Sequence, residues 1–224
     1  MYGFFIAKYV RLVRYSIMRE TAKVVSLFLI LTGLIGCGSS TDKNDEKIIN
    51  DAINRSLNKP ASVEANEATP EEYLMVKTLS IYPIEKRLEE KKVVNIELIG
   101  KLTEVTELNL GANNISDLSP LVGLSKLTRL DFSLNKVADL KPLEGKKNLI
   151  ILNAHGNEIK DISPLAGMTK LEVVYLSNNQ ISDISPLLNL KSLKEVTLKG
   201  NKVSVADIEN FKKILPEGCH LEHD

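Results

Sequence analysis

Tryptophan is absent from this chain of 224 residues, and five Phe and six Tyr are its only other aromatics. Its apolar content is therefore carried by aliphatic side chains. Two cysteines, Cys37 and Cys219, are too few for a disulfide framework. Basic and acidic side chains balance at 29 each. No basic stripe is present to neutralise a phosphate backbone, so nucleic acid is not an expected partner. Catalytic patterns are missing as well: there is no H-E-x-x-H, G-x-S-x-G, P-loop, G-x-G-x-x-G or paired C-x-x-C. Of three histidines, His155 stands alone mid-chain, while His220 and His223 flank Glu222 near the end and read as solvated rather than as metal ligands. The chain is read as non-catalytic, with no cofactor and no metal. Its length allows one ordinary domain with appendages.

An apolar run does occur near the start, but it is short. "VVSLFLILTGLI" (residues 24–35) follows Arg19 and Lys23 and ends in Gly36, Cys37 and Gly38. A basic segment, a brief apolar stretch and small residues describe a secretory signal, and the run is too short to span a bilayer comfortably. "LIGC" (residues 34–37) resembles the lipobox of bacterial lipoproteins, with Leu34 three residues before the Cys and Gly36 directly before it. The resemblance implies that residues 1–36 are removed and that the Cys37 thiol carries a diacylglycerol. The new N-terminus would often be acylated as well. Two or more acyl chains (palmitate among them) give stable anchoring where one would be marginal.

The expected location is the bacterial cell envelope, at an outer membrane or the cell surface; Gly38, not an Asp, favours outer-membrane sorting in a two-membrane bacterium. An uncleaved membrane helix with an incidental Cys is the alternative. Residues 1–17 make an unusually long basic segment, so Met18 is the expected true start. The first 36 residues hold five basic and one acidic side chain. A chain beginning at Cys37 has 24 basic against 28 acidic, a net charge of −4.

Residues 37–44 read as the lipidated Cys and a flexible, disordered tether. Residues 45–104 read as an N-terminal cap and a degenerate first repeat. In residues 45–60, Ile48, Ile49, Ala52, Ile53 and Leu57 fall on one helical stripe that Pro60 ends. "ASVEANEA" (residues 61–68) reads as a loop. "TPEE" (residues 69–72) is a capping box with proline at the first helical position.

Then one sentence is written four times. Asn113, Asn135, Asn157, Asn179 and Asn201 lie 22 residues apart. Pro120, Pro142, Pro164 and Pro186 keep that spacing, as do Asp117, Asp139, Asp161 and Asp183. A fixed period with L-x-x-L-x-L-x-x-N marks a leucine-rich-repeat solenoid, here over residues 105–203. Each unit has one apolar face that only a neighbouring unit can cover. In residues 171–192, Leu171, Val174 and Leu176 point inward from a short strand. Asn179 bonds backbone groups of its own loop and the next, Ile181 and Ile184 re-enter the core, and Leu187 and Leu190 close the convex side. Asp183 and Ser185 cap a tight turn that Pro186 pre-sets. So short a unit has room for one 3₁₀ turn. One carboxylate per coil is too few oxygens for calcium.

The first repeat is degenerate: Val76 to Val105 is 29 residues, an insertion of seven around "EKRLEEKK". At the far end, "SVADIENFKKIL" (residues 204–215) places Ile208, Phe211, Ile214 and Leu215 on one helical face. Ser204 stands at the N-cap, Asp207 completes the capping-box pattern and Pro216 follows. Residues 204–224 therefore read as a C-terminal cap, with Cys219 a small buried apolar side chain within it. The unit N-x-I-x-D-[IL]-S-P-L-x-x-L resembles the 22-residue repeats of bacterial internalins and of a eukaryotic phosphatase-regulating subunit. "AINRSLNKP" (residues 52–60) and "ILPEGCHLE" (residues 214–222) are similar to flanks of bacterial repeat proteins of this kind. The implied fold class is an α/β leucine-rich-repeat solenoid of strands and 3₁₀ turns, with a parallel concave sheet and helical caps at both ends. Lys141 in place of Ser and Lys146 in place of the convex Leu depart from the pattern and predict a weaker joint around residues 141–148. A sortase-type tail, which many internalins carry, is not seen; the lipid on Cys37 would take its place.

Six strands about 4.8 Å apart make a face on the order of 24 Å wide. The side chains expected to point out from it, strand by strand, are Glu107 and Asn109; Arg129, Asp131 and Ser133; Ile151, Asn153 and His155; Val173, Tyr175 and Ser177; and Glu195, Thr197 and Lys199. Ile151, Val173 and Tyr175 form a semi-apolar centre rimmed by Arg129, Asp131, Glu195 and Lys199. An aromatic anchor with a polar rim is what a protein-binding face presents. The expectation is a monomeric, surface-anchored protein that binds another protein, of unidentified kind, through this face. Two other classes stay open. A scaffold working through its stacking faces would self-associate despite charge reversal at Arg129 and Asp131. A regulatory subunit would co-purify with an enzyme of altered activity.

Overall fold

Alternation of apolar and polar side chains over a few residues suits a strand with one covered face, and every repeat contains one such stretch. The computed structural model describes residues 40–57, 69–81 and 92–224. Its strands are β1 (Thr78–Ser80), β2 (Glu107–Asn109), β3 (Arg129–Asp131), β4 (Ile151–Asn153), β5 (Val173–Tyr175), β6 (Glu195–Thr197) and β7 (His220–Glu222). All seven pair in parallel and in chain order. The register stacks equivalent positions: Leu79, Leu108, Leu130, Leu152, Val174, Val196 and Leu221 form one row. The first six of these are buried, Leu221 partly so. Each fully buried aliphatic side chain is worth roughly 1.5–3 kcal/mol. The sum is realised only when both neighbouring coils are in place.

On the convex side, 3₁₀ turns occupy Ser119–Leu121, Lys141–Leu143, Ser163–Leu165 and Ser185–Leu187, each with proline in its first residues. The repeated aspartates set these turns. Asp183 Oδ1 accepts from the Ser185 amide at 2.8 Å and Oδ2 from its hydroxyl at 3.0 Å. Those bonds hold the Asp183 pKa below its ordinary value.

The repeat asparagines form a continuous ladder. Asn157 Nδ2 donates to the carbonyls of Ala154 and His155 in its own coil and of Phe132 in the preceding one. Its Oδ1 accepts from the Val137 amide at 2.9 Å. Asn113, Asn135, Asn179 and Asn201 repeat both the backward donation and the acceptance from an amide 20 residues earlier. Backbone groups that a tight coil would leave buried and unpaired are thereby satisfied. The residue before each ladder asparagine turns left-handed: Ala112, Leu134, Gly156, Asn178 and Gly200 have φ between 55° and 72°. Glycine adopts this freely; Leu134 does not.

Both ends differ in part from expectation. Helix α1 runs Ser40–Ser56, so residues 40–44, expected as disordered tether, lie in its first turns. Ile48, Ile49, Ala52 and Ile53 are buried as the stripe requires, and Leu57 packs against the core. Asp45, itself buried, accepts from the amides of Val94 and Asn95 at 3.0 and 2.8 Å, tying α1 to the first coil. Helix α2 (Pro70–Tyr73) carries the expected capping box between Thr69 and Glu72. The signal, Met18, Cys37, the 61–68 loop and most of the inserted segment lie outside the described residues.

At the other end, α3 (Val205–Ile214) is capped by Ser204 and buries Ile208 and Phe211. Ile214 is 42% exposed and does not share that buried face. Within the expected C-terminal cap, His220 and Glu222, expected as solvated, belong to β7 of the sheet. Cys219, just before it, is only partly buried.

Lys146 is another departure. It occupies the column of Leu102, Leu124, Met168 and Leu190 yet is buried. Its Nζ donates to the carbonyls of Leu121, Val122 and Leu124 at 2.6, 3.2 and 3.2 Å. The substitution expected to weaken the joint thus brings three hydrogen bonds across it.

Candidate functional site

Parallel pairing in register puts the outward side chains in straight rows. One row is Glu107, Arg129, Ile151, Val173, Glu195 and His220; the next is Asn109, Asp131, Asn153, Tyr175, Thr197 and Glu222. Seven strands span on the order of 29 Å. Glu107, Asn109, Arg129, Asp131, Ile151, His155, Val173, Tyr175 and Glu195 are half-buried, and Lys199 is exposed.

Four of the expected outward residues are largely covered. Asn153 and Thr197 are 3% and 8% exposed, and Ser133 and Ser177 are equally covered, so they present little to a partner. Asn153 Nδ2 donates to Asp131 Oδ2 at 2.8 Å, while its Oδ1 accepts from the His155 amide at 3.3 Å. Ser133 donates its amide and hydroxyl to Asp131 Oδ1 at 2.9 and 2.7 Å. These bonds fix the Asp131 carboxylate in the face.

Tyr175 lies between β4, whose outward side chains Ile151 and Asn153 are uncharged, and β6, which carries Glu195. Burial first, then the neighbouring Glu195 charge and a hydrogen bond to it, push the Tyr175 pKa up to about 12; Arg129 opposes them. The phenol is neutral at any physiological pH and oriented by Glu195. Burial depresses the His155 pKa against the opposing pull of Asp131 and Glu222. Glu222 therefore lies near enough to His155 to act on it across the face.

Three members of this surface were not identifiable from sequence pattern: His220, Glu222 and Asp224. Asp224 Oδ2 accepts from the Gly200 amide at 2.8 Å, which fixes the last residue beside β6. Only the brief alternation around Leu221 signals them.

Beside the sheet, Glu104 bridges Lys77 and Lys126, and Lys194 pairs with Glu172. The Lys126 bond first, then that of Lys77, hold the Glu104 pKa at about 2. Exposed pairs of this kind contribute little stability. Among the described residues no group of three His, Cys, Asp or Glu side chains is arranged to hold a metal. Nor is any described helix long and apolar enough to cross a membrane. A shallow depression on the convex side, lined by Val122, Asp139, Lys141, Pro142, Glu144 and Gly145, has no convergent polar groups of catalytic kind.

A solenoid of stacked coils with an asparagine ladder and a concave parallel sheet defines a leucine-rich-repeat protein. The sequence profile for "Leucine Rich repeats (2 copies)" matches residues 103–145, 147–187 and 169–213. Two solved structures from Listeria monocytogenes share the fold. An internalin (inlF) is 24% identical with a TM-score of 0.55, the match covering 78% of this chain and 54% of that one. An internalin C2 (inlC2) is 26% identical with a TM-score of 0.53, covering 79% of this chain and 92% of that one. The matched region thus spans about half of the first internalin's length. No curated protein matches the chain in sequence. The chain is an internalin-like leucine-rich-repeat protein. Repeats of this type suggest protein–protein interaction and a non-catalytic scaffold.

Proposed function

We propose that this is a lipoprotein of the bacterial envelope that binds another protein through its concave sheet, without chemistry of its own. The observation that carries the reading is the pair of outward rows centred on Tyr175. Ile151, Val173 and Tyr175 offer apolar area, with Glu107, Asn109, Arg129, Asp131, His155, Glu195 and Lys199 around them. Asn153 holds the Asp131 carboxylate, and Thr197 lies covered within the same row. A rigid aromatic with one polar tip loses little freedom on binding, which suits it to the centre of an interface. Flat stacked coils change shape little, so the face is pre-organised and less entropy is lost when a partner docks.

The anchor is the lipid on Cys37. Residues 1–36 act as the signal and are removed, and the chain acts as a monomer at an outer membrane or the cell surface. The LIGC motif and the polar residues after it support this part of the reading. Replacing Cys37 with Ala is expected to abolish palmitate incorporation and release the chain from membranes; membrane retention of that variant would contradict the anchor.

The binding face is tested by a photo-crosslinker placed at position 175 in intact cells, with products identified by mass spectrometry. The expectation is a discrete protein adduct that a crosslinker at convex Val122 does not give. Recovery of the same neighbours from both positions would contradict binding through the concave face.

A further inference from the structure

Without β7, the outward rows of the sheet are nearly balanced, with Glu107, Asp131 and Glu195 against Arg129 and Lys199. The seventh strand changes that. It sets His220 beside Glu195 and Glu222 beside Thr197, and Asp224 is held next to Gly200. Glu195, Glu222 and Asp224 are now three carboxylates at this end of the outward rows, with Lys199 beside them and Arg129 two strands away from the neutral Val173 and Tyr175. His155 does not offset them, because burial keeps its imidazole from charging readily. Lys77, Lys126 and Lys194 already pair with Glu104 and Glu172 on the flank. Among the described residues no lysine or arginine forms an ion pair with Glu195 or Glu222.

Resting on the concave-face reading above, we propose that the C-terminal half of the sheet receives a cationic segment of its protein partner. Lysine or arginine side chains would lie across Glu195, Glu222 and Asp224, with their aliphatic stems against Val173 and the ring of Tyr175. Three features favour this occupant. Charge-assisted bonds from guanidinium or ammonium groups to carboxylates are the strong class of hydrogen bond. A cation over a tyrosine ring gains further attraction, and its apolar stem covers the ring's neighbours. A face of one sign also speeds encounter with an oppositely charged partner and repels acidic competitors.

The test is to pan a random peptide library displayed on phage against the purified full-length chain. Selected peptides are then measured against Glu195→Lys, Glu222→Lys, Tyr175→Ala and the convex control Glu144→Lys, each first checked for an unchanged melting temperature. Glu222 is exposed, so its variant is expected to fold even where Glu195→Lys does not. The expected result is enrichment of Lys and Arg. The best peptide should lose at least tenfold in affinity with Glu222→Lys, bind more weakly as salt rises, and ignore Glu144→Lys. Peptides that depend on Tyr175 but lack basic residues, or that tolerate Glu222→Lys, would overturn the cationic partner and leave the concave face standing. Binders insensitive to every concave variant would overturn both.

Discussion

Leu134 holds a left-handed backbone in its ladder loop: its φ is 55° and the residue is 52% exposed. A left-handed backbone costs a residue with a Cβ roughly 1–2 kcal/mol. Glycine relieves that but returns roughly 0.5–1 kcal/mol as lost chain entropy. Leu134→Gly is therefore expected to stabilise the chain by about 0.5–1 kcal/mol and raise its melting point by a few degrees. An unchanged or lower melting point would contradict the strain.

Lys146 offers a second test. Burial sets its folded pKa below the ordinary 10.5. Between that depressed value and 10.5 the unfolded chain holds more protons than the folded one, so this group's contribution to stability rises with pH. Lys146→Met, which borrows the residue at position 168, removes the buried charge together with its three carbonyl bonds, so its stability relative to the parent should fall as pH rises from 7 towards 10.5. Urea unfolding at both pH values reads the difference; a relative stability that grows with pH would contradict this sign. The asparagines were legible because each repeats at the same spacing. The burial of Asn153 was not, since it depends on a sideways bond to Asp131 on the neighbouring strand, which alternation alone does not encode.

Between elements, the ladder and the caps carry the load. Removing Asn157 leaves the Val137 amide without its partner, while the carbonyls of Phe132, Ala154 and His155 keep other donors; one buried unpaired group costs roughly 1–3 kcal/mol. Asn201 is only half-buried and lies at the end of the ladder. Asn157→Ala should therefore destabilise by about 1–3 kcal/mol and Asn201→Ala by clearly less, as chemical denaturation would report. Equal effects would mean that the ladder does not join coils.

Phe211 is 1% exposed in α3, over the last coil. Phe211→Ala is expected to cost roughly 3–5 kcal/mol. Its amide exchange should accelerate first in β6 and β7 and last in β2. The α3 cap was readable from helical spacing, but β7 was not. Leu221 follows Val196 by 25 residues rather than 22, and three residues of alternation are too few to distinguish from a solvated tail. The early start of α1 was hidden for a related reason: its first turns contain no apolar stripe.

At the scale of the whole molecule, each coil touches only its neighbours, so stability is close to a sum of coil and joint contributions. The same arithmetic that stacks apolar rows inward also stacks a second set outward. Repetition made the solenoid and its concave orientation legible from the sequence. The charge of that face was not legible, because its acidic end comes from residues outside the repeat.

Radical footprinting of Tyr175 tests the central idea, that this outward face grips a partner, by comparing the chain on intact cells with the purified protein. Protection of Tyr175 on the cells, with the convex Pro164 and Leu188 modified equally in both states, is the predicted result. Equal modification of Tyr175 in both would contradict it.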